Sequence, residues 1–242
     1  MTTNTTWPVG ASLLRRLFIG FRSLTILKYE PDHPVHGPLF GWCLDQGTNQ
    51  RLVSELTEGE DGARILATRP TLQGPDLDLA ALSALPNGTL GREFARYFER
   101  NGIHPFLTTF EITTDDVFIA KRYRETHDLL HVITGYPTHM LGEMELQAFV
   151  LGNLRLPSAA MILFFSFGIR FGLCGLRELG GYVQRLRAAW RRGQRSRMML
   201  GIDFERHWAR PLREVAAEWC APAEPVPELT AGVHLPPRTA TT

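Results

Sequence analysis

An all-α fold is expected for this 242-residue chain, on three observations. Apolar residues recur at helical spacing along most of the length, and the strict alternation of a half-buried strand is not seen. Breaks marked by Pro and Gly fall between the periodic stretches, at residues 30–38 and 70–75. Residues 117–134 contain neither Gly nor Pro and place His127 and His131 four apart, one turn of helix. Hydrophobic residues make up 44% and charged residues 21%, as in an ordinary soluble globular protein. The length supports one sizeable core, so a single helical domain is expected over 11–218. A Pro-rich tail, 219–242, is expected to be disordered, with five prolines from Cys220 onward and no apolar period.

Taken in order, the candidate helices are 12–27, 49–57, 62–67, 79–85, 90–100, 117–134, 140–150, 159–167, 181–192 and 198–218. In the first, Leu13, Leu14, Leu17, Phe18, Phe21 and Leu24 line one side, which reads as a structural amphipathic helix. An organellar leader is the alternative there, since Arg15, Arg16 and Arg22 appear with no acid before Glu30. Thr89 caps 90–100, whose apolar face is Leu90, Phe94, Tyr97 and Phe98, and Gly102 ends it. Thr114 is the expected cap of 117–134, with Asp115 and Asp116 placing negative charge in the first turn. Gly135 and Pro137 stop that helix, and Thr138 is the expected cap of the next.

Net charge is +1, so no global field points to nucleic acid, and no such partner is expected. Cys43, Cys174 and Cys220 are scattered, which fits a reducing compartment and no cysteine metal cluster. The uncharged run 156–169 is too short for the roughly 20 residues that span a bilayer. It reads as a buried core helix, or else as the wall of a lipid-chain tunnel or a membrane-dipping helix. Arg185, Arg187, Arg191, Arg192, Arg195 and Arg197 lie in a stretch with no acid between Glu178 and Asp203. They read as a solvated face or as a docking patch for an anionic membrane surface.

The candidate site is His127, Asp128, His131 and Glu143, with eleven residues between His131 and Glu143. A tight turn between two helices can fold Glu143 back onto the imidazoles. Mixed nitrogen and oxygen donors suit zinc and other first-row divalent ions, and such sites are more often catalytic than structural. Arg122 or Arg124 is offered as an orienting partner for a ligating carboxylate. Chance grouping of common residues is the plain alternative. Zinc proteases carry His-Glu-x-x-His, whereas Asp128 is one methylene shorter at that position. A metal phosphohydrolase would need a further His and Asp, for which His104 and Asp203 are the only offers, without supporting context.

The flanking residues add a resemblance. His127-Asp128-x-x-His131, eleven residues and Glu143 resemble the hallmark of the coenzyme Q biosynthesis protein 4 family. So do Arg122-Tyr123-Arg124-Glu125, Gly135-Tyr136-Pro137-Thr138 and Leu141-Gly142-Glu143 around it. Ile65-Leu66-Ala67-Thr68-Arg69-Pro70, Asn87-Gly88-Thr89-Leu90-Gly91-Arg92-Glu93-Phe94 and Phe204-Glu205-Arg206-His207-Trp208 extend the likeness over about 11–217. Its start near residue 11 argues against a removable leader. One departure is Asn153-Leu154-Arg155-Leu156-Pro157, where many members have a glycine before Leu-Pro.

The resemblance implies a metal site at all four hallmark positions and a role in ubiquinone biosynthesis. The implied substrate is a polyprenylated 4-hydroxybenzoate-type ring, and the implied reaction removes its C1 carboxylate, with or without hydroxylation at that carbon. Zinc suits simple decarboxylation; iron or another redox metal suits an oxidative route. A four-ligand tetrahedral zinc site would keep no open position, so Asp128 or Glu143 would have to bind loosely or act as base. The rival from another class is a prenyl-lipid-binding scaffold for other quinone-pathway proteins. Recruitment to a different quinone or secondary-metabolite ring is the third reading. A homo-oligomer at the inner face of a membrane is the expected setting: cytoplasmic, or the mitochondrial matrix side in a eukaryote.

Overall fold

The computed structural model describes residues 10–27, 36–73, 77–105, 112–173 and 176–228, and of 27, 38, 167–173 and 176–178 only the backbone. Among them there are ten α-helices and no strand, so the all-α expectation holds. The helices are α1 (Leu13–Leu27), α2 (His36–Thr57), α3 (Glu60–Thr68), α4 (Leu79–Ser83), α5 (Leu90–Asn101), α6 (Asp115–Thr134), α7 (Met140–Leu154), α8 (Pro157–Leu173), α9 (Leu176–Arg195) and α10 (Leu212–Trp219). They belong to two compact units, one of 1–77 and 105–126, the other of 78–104 and 127–242.

In the first unit α2 packs between α1 and α3. Leu39, Trp42, Cys43 and Val117 form a buried cluster, with Ile19 and Ala120 against it. This burial explains why α2 starts far upstream of residue 49. Pro38 stands in the first turn, where its missing N–H is no loss, and the buried side chains that follow offset the glycines. Lys121 donates to Thr71 (2.7 Å), Thr71 donates to Glu125 (2.8 Å), and Lys121 pairs with Glu125. This buried relay ties the 70–73 loop to α6. Arg122 is fully buried.

Helix α1 reverses an expectation. Its Leu13, Leu14, Leu17, Phe18 and Phe21 are exposed, while Gly20 and Ser23 are buried. A Cβ on Gly20 would meet Cys43 Cβ at 3.4 Å, and Ser23 Oγ lies 3.2 Å from His36 Nδ1. Amphipathic periodicity identifies two faces without saying which one packs; here the small face does.

In the second unit α7 crosses α9 at a pair of glycines. A Cβ on Gly152 would meet the Trp190 carbonyl oxygen at 2.1 Å, and one on Gly193 the Phe149 carbonyl oxygen at 2.1 Å. Asn153 Nδ2 donates to the carbonyls of Gly193 (3.0 Å), Ser196 (3.3 Å) and Arg197 (2.9 Å), and its Oδ1 accepts from Met199 N (3.0 Å). Arg155 takes a left-handed conformation (φ 57°) as the C-cap of α7. Thr89 caps α5, and Gly102 ends it at φ 60°, both as expected.

Three further expectations change. The 198–218 stretch is not one helix but two 3₁₀ turns, Met199–Gly201 and Phe204–Arg206, then α10 after Pro211. A helix through that segment would put the Pro211 ring against the preceding turn. The 156–169 run is not a buried core helix, because α8 exposes Met161, Phe164 and Phe165. No described helix is long and apolar enough to cross a membrane. The tail from Cys220 to Glu228 runs along α9, where Arg192 donates to the Ala221 carbonyl (2.7 Å) and Arg185 to that of Pro227 (2.9 Å). Residues 229–242, the rest of the expected tail, lie outside the described residues.

Candidate metal centre

Four-residue spacing on α6 puts His127 and His131 on one face, with ring centroids 5.0 Å apart and the rings edge to face. The chain then reverses through 135–139. Gly135 takes φ 77°, a conformation that an L side chain rarely adopts, and its N–H closes on the His131 carbonyl (2.9 Å). The cap of α7 is His139 rather than Thr138: His139 Nδ1 accepts from Gly142 N (3.2 Å). The Thr138 hydroxyl instead donates to Asn101 Oδ1 (2.9 Å). A Cβ on Gly142 would sit 2.0 Å from the Pro137 carbonyl oxygen, so the turn closes this tightly only over glycine.

The reversal brings Glu143, in the first turn of α7, against both imidazoles. Its Oε2 is 3.4 Å from His127 Nε2 and its Oε1 is 3.3 Å from His131 Nε2. One donor atom from each residue lies within 4.8 Å of the other two. His131 Nδ1 is 2.8 Å from the Tyr136 carbonyl oxygen, which accepts a hydrogen bond from that nitrogen. The bond fixes the tautomer and leaves Nε2 as the lone-pair nitrogen. Nε2 is buried and faces the Glu143 carboxylate at 3.3 Å. A buried nitrogen aimed at a second imidazole and a carboxylate fits a cation.

The charges are coupled. Burial lowers the His131 pKa, but the Glu143 carboxylate and the Tyr136 carbonyl outweigh it, and the net shift is upward. For Glu143 burial works toward a higher value, yet the two imidazoles hold the carboxyl well below the usual carboxylate range.

Asp128 is not in the trio. Next to His127 on the helix, it points about 100° away, and its Oδ1 accepts from the Tyr97 hydroxyl (3.1 Å). Tyr97, on α5, also stacks over His131, with centroids 5.9 Å apart and planes at 21°. Neither His104 nor Asp203 belongs to the group. The remaining three donors, two imidazoles and one carboxylate, leave coordination positions for water or substrate on a tetrahedral or octahedral ion.

Sequence reasoning named the trio but missed its supports. Tyr97 stood in the apolar face of α5 as one more core residue; its polar tip was the available signal. Arg192 was read as part of a basic face. It is buried, donates to the Thr134 carbonyl (2.8 Å) and lies over the Tyr136 ring (5.3 Å). Arg192 thus braces the residue whose carbonyl orients His131. Four arginines of the six-residue cluster are engaged within the chain: Arg185 with Glu145, Arg192 as above, Arg195 with Glu224, and Arg197 with Glu218.

Comparison with known proteins identifies the relatives of this chain. The chain matches the family model for coenzyme Q (ubiquinone) biosynthesis protein Coq4 over residues 13–224. It is 38% identical over 173 residues to the mitochondrial ubiquinone biosynthesis protein COQ4 homolog of Danio rerio, covering 69% of this chain and 62% of that one. The Homo sapiens homolog is 30% identical over 218 residues, covering 89% and 81%. The fold is similar to a crystal structure of a putative ubiquinone biosynthesis protein from Nostoc punctiforme. There the TM-score is 0.67 at 23% identity, over 84% of this chain and 95% of that one. The family-model match over most of the chain and these identities make it a member of the Coq4 family of ubiquinone biosynthesis proteins.

Proposed function

We propose that the chain holds a divalent metal through His127, His131 and Glu143 and removes the C1 carboxylate of a polyprenylated 4-hydroxybenzoate-type ring in ubiquinone biosynthesis. The observation that carries the reading is the buried Nε2 of His131, its tautomer set by Tyr136 and its lone pair facing Glu143. Such an ion supplies Lewis acidity toward substrate oxygens, and a three-donor set leaves it room to do so.

The chain's own groups divide the remaining work. Asp128, outside the trio and held by Tyr97, is the carboxylate available as a base. Taking the proton of the ring hydroxyl pushes an electron pair toward C1, para to it. The new bond at C1, to a proton or to an oxygen atom of O2, gives a quinoid ring; the oxygen-dependent branch also takes two electrons from an external reductant, which carry the second oxygen atom to water. Breaking the bond from C1 to the carboxylate carbon returns its pair to the ring and releases carbon dioxide. A redox metal, iron above all, serves the oxygen-dependent route; zinc serves the simple one. The exposed Met161, Phe164 and Phe165 of α8 support contact with an apolar tail. Because a prenylated ring resides in a bilayer, the proposed setting is the inner face of a membrane, the mitochondrial inner membrane in a eukaryote.

The test is elemental analysis of the purified protein, followed by incubation with a short-chain prenylated 4-hydroxybenzoate with and without oxygen. A C1-hydroxylated product that needs oxygen establishes oxidative decarboxylation, and a C1–H product without it establishes the simple reaction. Neither product from metal-loaded, folded protein that still binds the ligand rejects this reaction, in favour of the scaffold or of a different ring.

A further inference from the structure

Helix α1 carries an unusual combination. Leu14 is 80% exposed, Phe18 70% and Phe21 65%, with Leu13 and Leu17 beside them. At 100° per residue, these five span a stripe well over 100° wide. Arg15 and Arg22, seven residues apart and both exposed, lie together along one border of the stripe. No acidic residue occurs in the helix. The opposite face is committed to α2 through Gly20, Ser23 and the Arg16–Gln46 hydrogen bond. The apolar face is therefore not waiting to turn inward.

Isolated exposed apolar residues need no explanation, but a contiguous stripe of five on one helix does. A partner protein surface would satisfy the leucines and phenylalanines. It would not account for two arginines aligned on the border with no acid among them. An interfacial helix needs both: an apolar face sunk to the acyl boundary, and cations level with anionic headgroups. We propose that α1 is the element through which this chain docks on an anionic bilayer, inserting Leu14, Leu17, Phe18 and Phe21 with Arg15 and Arg22 on lipid headgroups. This deepens the membrane setting proposed above, on which it rests for its biological sense, and does not depend on the reaction. The arginines between Arg185 and Arg197, which read from sequence as a solvated face or a docking patch, are largely engaged within the chain.

The experiment is co-sedimentation of the full chain with phosphatidylcholine vesicles, with and without about one-third phosphatidylglycerol. Three proteins are compared: wild type, Phe18→Asp/Phe21→Asp, and Arg15→Glu/Arg22→Glu. Far-UV circular dichroism and size exclusion report fold and oligomeric state, and metal content reports the site. Wild type should pellet with the anionic vesicles. The double Phe variant should lose roughly tenfold or more in partitioning for each phenylalanine, with metal content unchanged. The double Arg variant should lose at least roughly fivefold per position on anionic vesicles, since each change removes an attraction and adds a repulsion, and little on neutral ones. Equal pelleting of wild type and the Phe variant, or no pelleting of folded wild type, overturns the inference. So does an oligomer that the Phe variant breaks without changing vesicle binding, which would assign the face to a second copy of the chain. Because no turnover is read, loss of the proposed reaction leaves this result standing, and the reverse also holds.

Discussion

Gly142→Ala is the sharpest test of how the candidate metal centre is built, because it touches no donor atom. The added Cβ would lie 2.0 Å from the Pro137 carbonyl oxygen and 2.7 Å from its Cγ. Ordinary contact begins near 3.4 Å, so turn and helix must part by about 1.4 Å. Neither neighbour is a flexible side-chain end that can yield. Forced repacking of this kind costs about 1–3 kcal/mol. Glu143 follows Gly142 directly, so its carboxylate moves with the helix end, away from imidazoles now 3.3 and 3.4 Å distant. Loss of that orientation should weaken metal binding roughly 10- to 100-fold, as for other groups that set a ligand's position. Thermal unfolding of the metal-free protein reads the first effect, and competition with a chromogenic chelator reads the second. Gly135→Ala is the control, since its Cβ meets open space and only the backbone angle is strained, at about 1 kcal/mol. Wild-type metal affinity in folded Gly142→Ala would refute the idea that this turn sets the site.

Tyr97→Phe keeps the ring over His131 and deletes the hydrogen bond to Asp128; stability should fall by about 1 kcal/mol, metal content should hold, and turnover should fall more than substrate binding. Arg155→Gly should raise the stability measured by denaturant titration by about 0.5–1 kcal/mol, relieving a left-handed residue that has a side chain. The pH dependence should change sign with metal. In the metal-free chain the raised His131 pKa gives stability that is present in full below its ordinary value of 6.5 and lost as pH rises past the folded value. Metal needs the unprotonated nitrogen, so the extra melting temperature that zinc confers should grow over the same rise in pH. Parallel melting curves from pH 5.5 to 8.5, with and without zinc, check both arms.

Local chemistry was the legible part of this chain. Thr89 and Gly102 bound α5 because cap preferences act within a few residues, and the spacing of His127 and His131 needs only helical geometry. What tertiary structure decides was not legible. Thr138 and His139 both offer a capping atom, and the choice fell to Asn101, thirty-seven residues away in sequence, which takes the Thr138 hydroxyl. The start of α2 looked like a loop until the burial of Leu39 and Trp42 outweighed Gly and Pro. Periodicity marked α1 as two-faced but could not say which face packs. Of the four hallmark positions three converge, and Asp128 is turned aside by the 100° step that separates adjacent helical residues.

The three converging donors span only residues 127–143 and close through a five-residue turn, 135–139. The entropic cost of joining chain ends grows with the length between them, and here that length is close to minimal. Helical hairpins with such local contacts form on timescales far shorter than long-range packing. This segment is therefore expected to become competent for an ion while much of the chain is still unfolded. Metal identity would then be set by which ion is abundant where the hairpin first forms, more than by selection in the finished protein. The compartment of folding, and not only that of action, becomes part of the cofactor question.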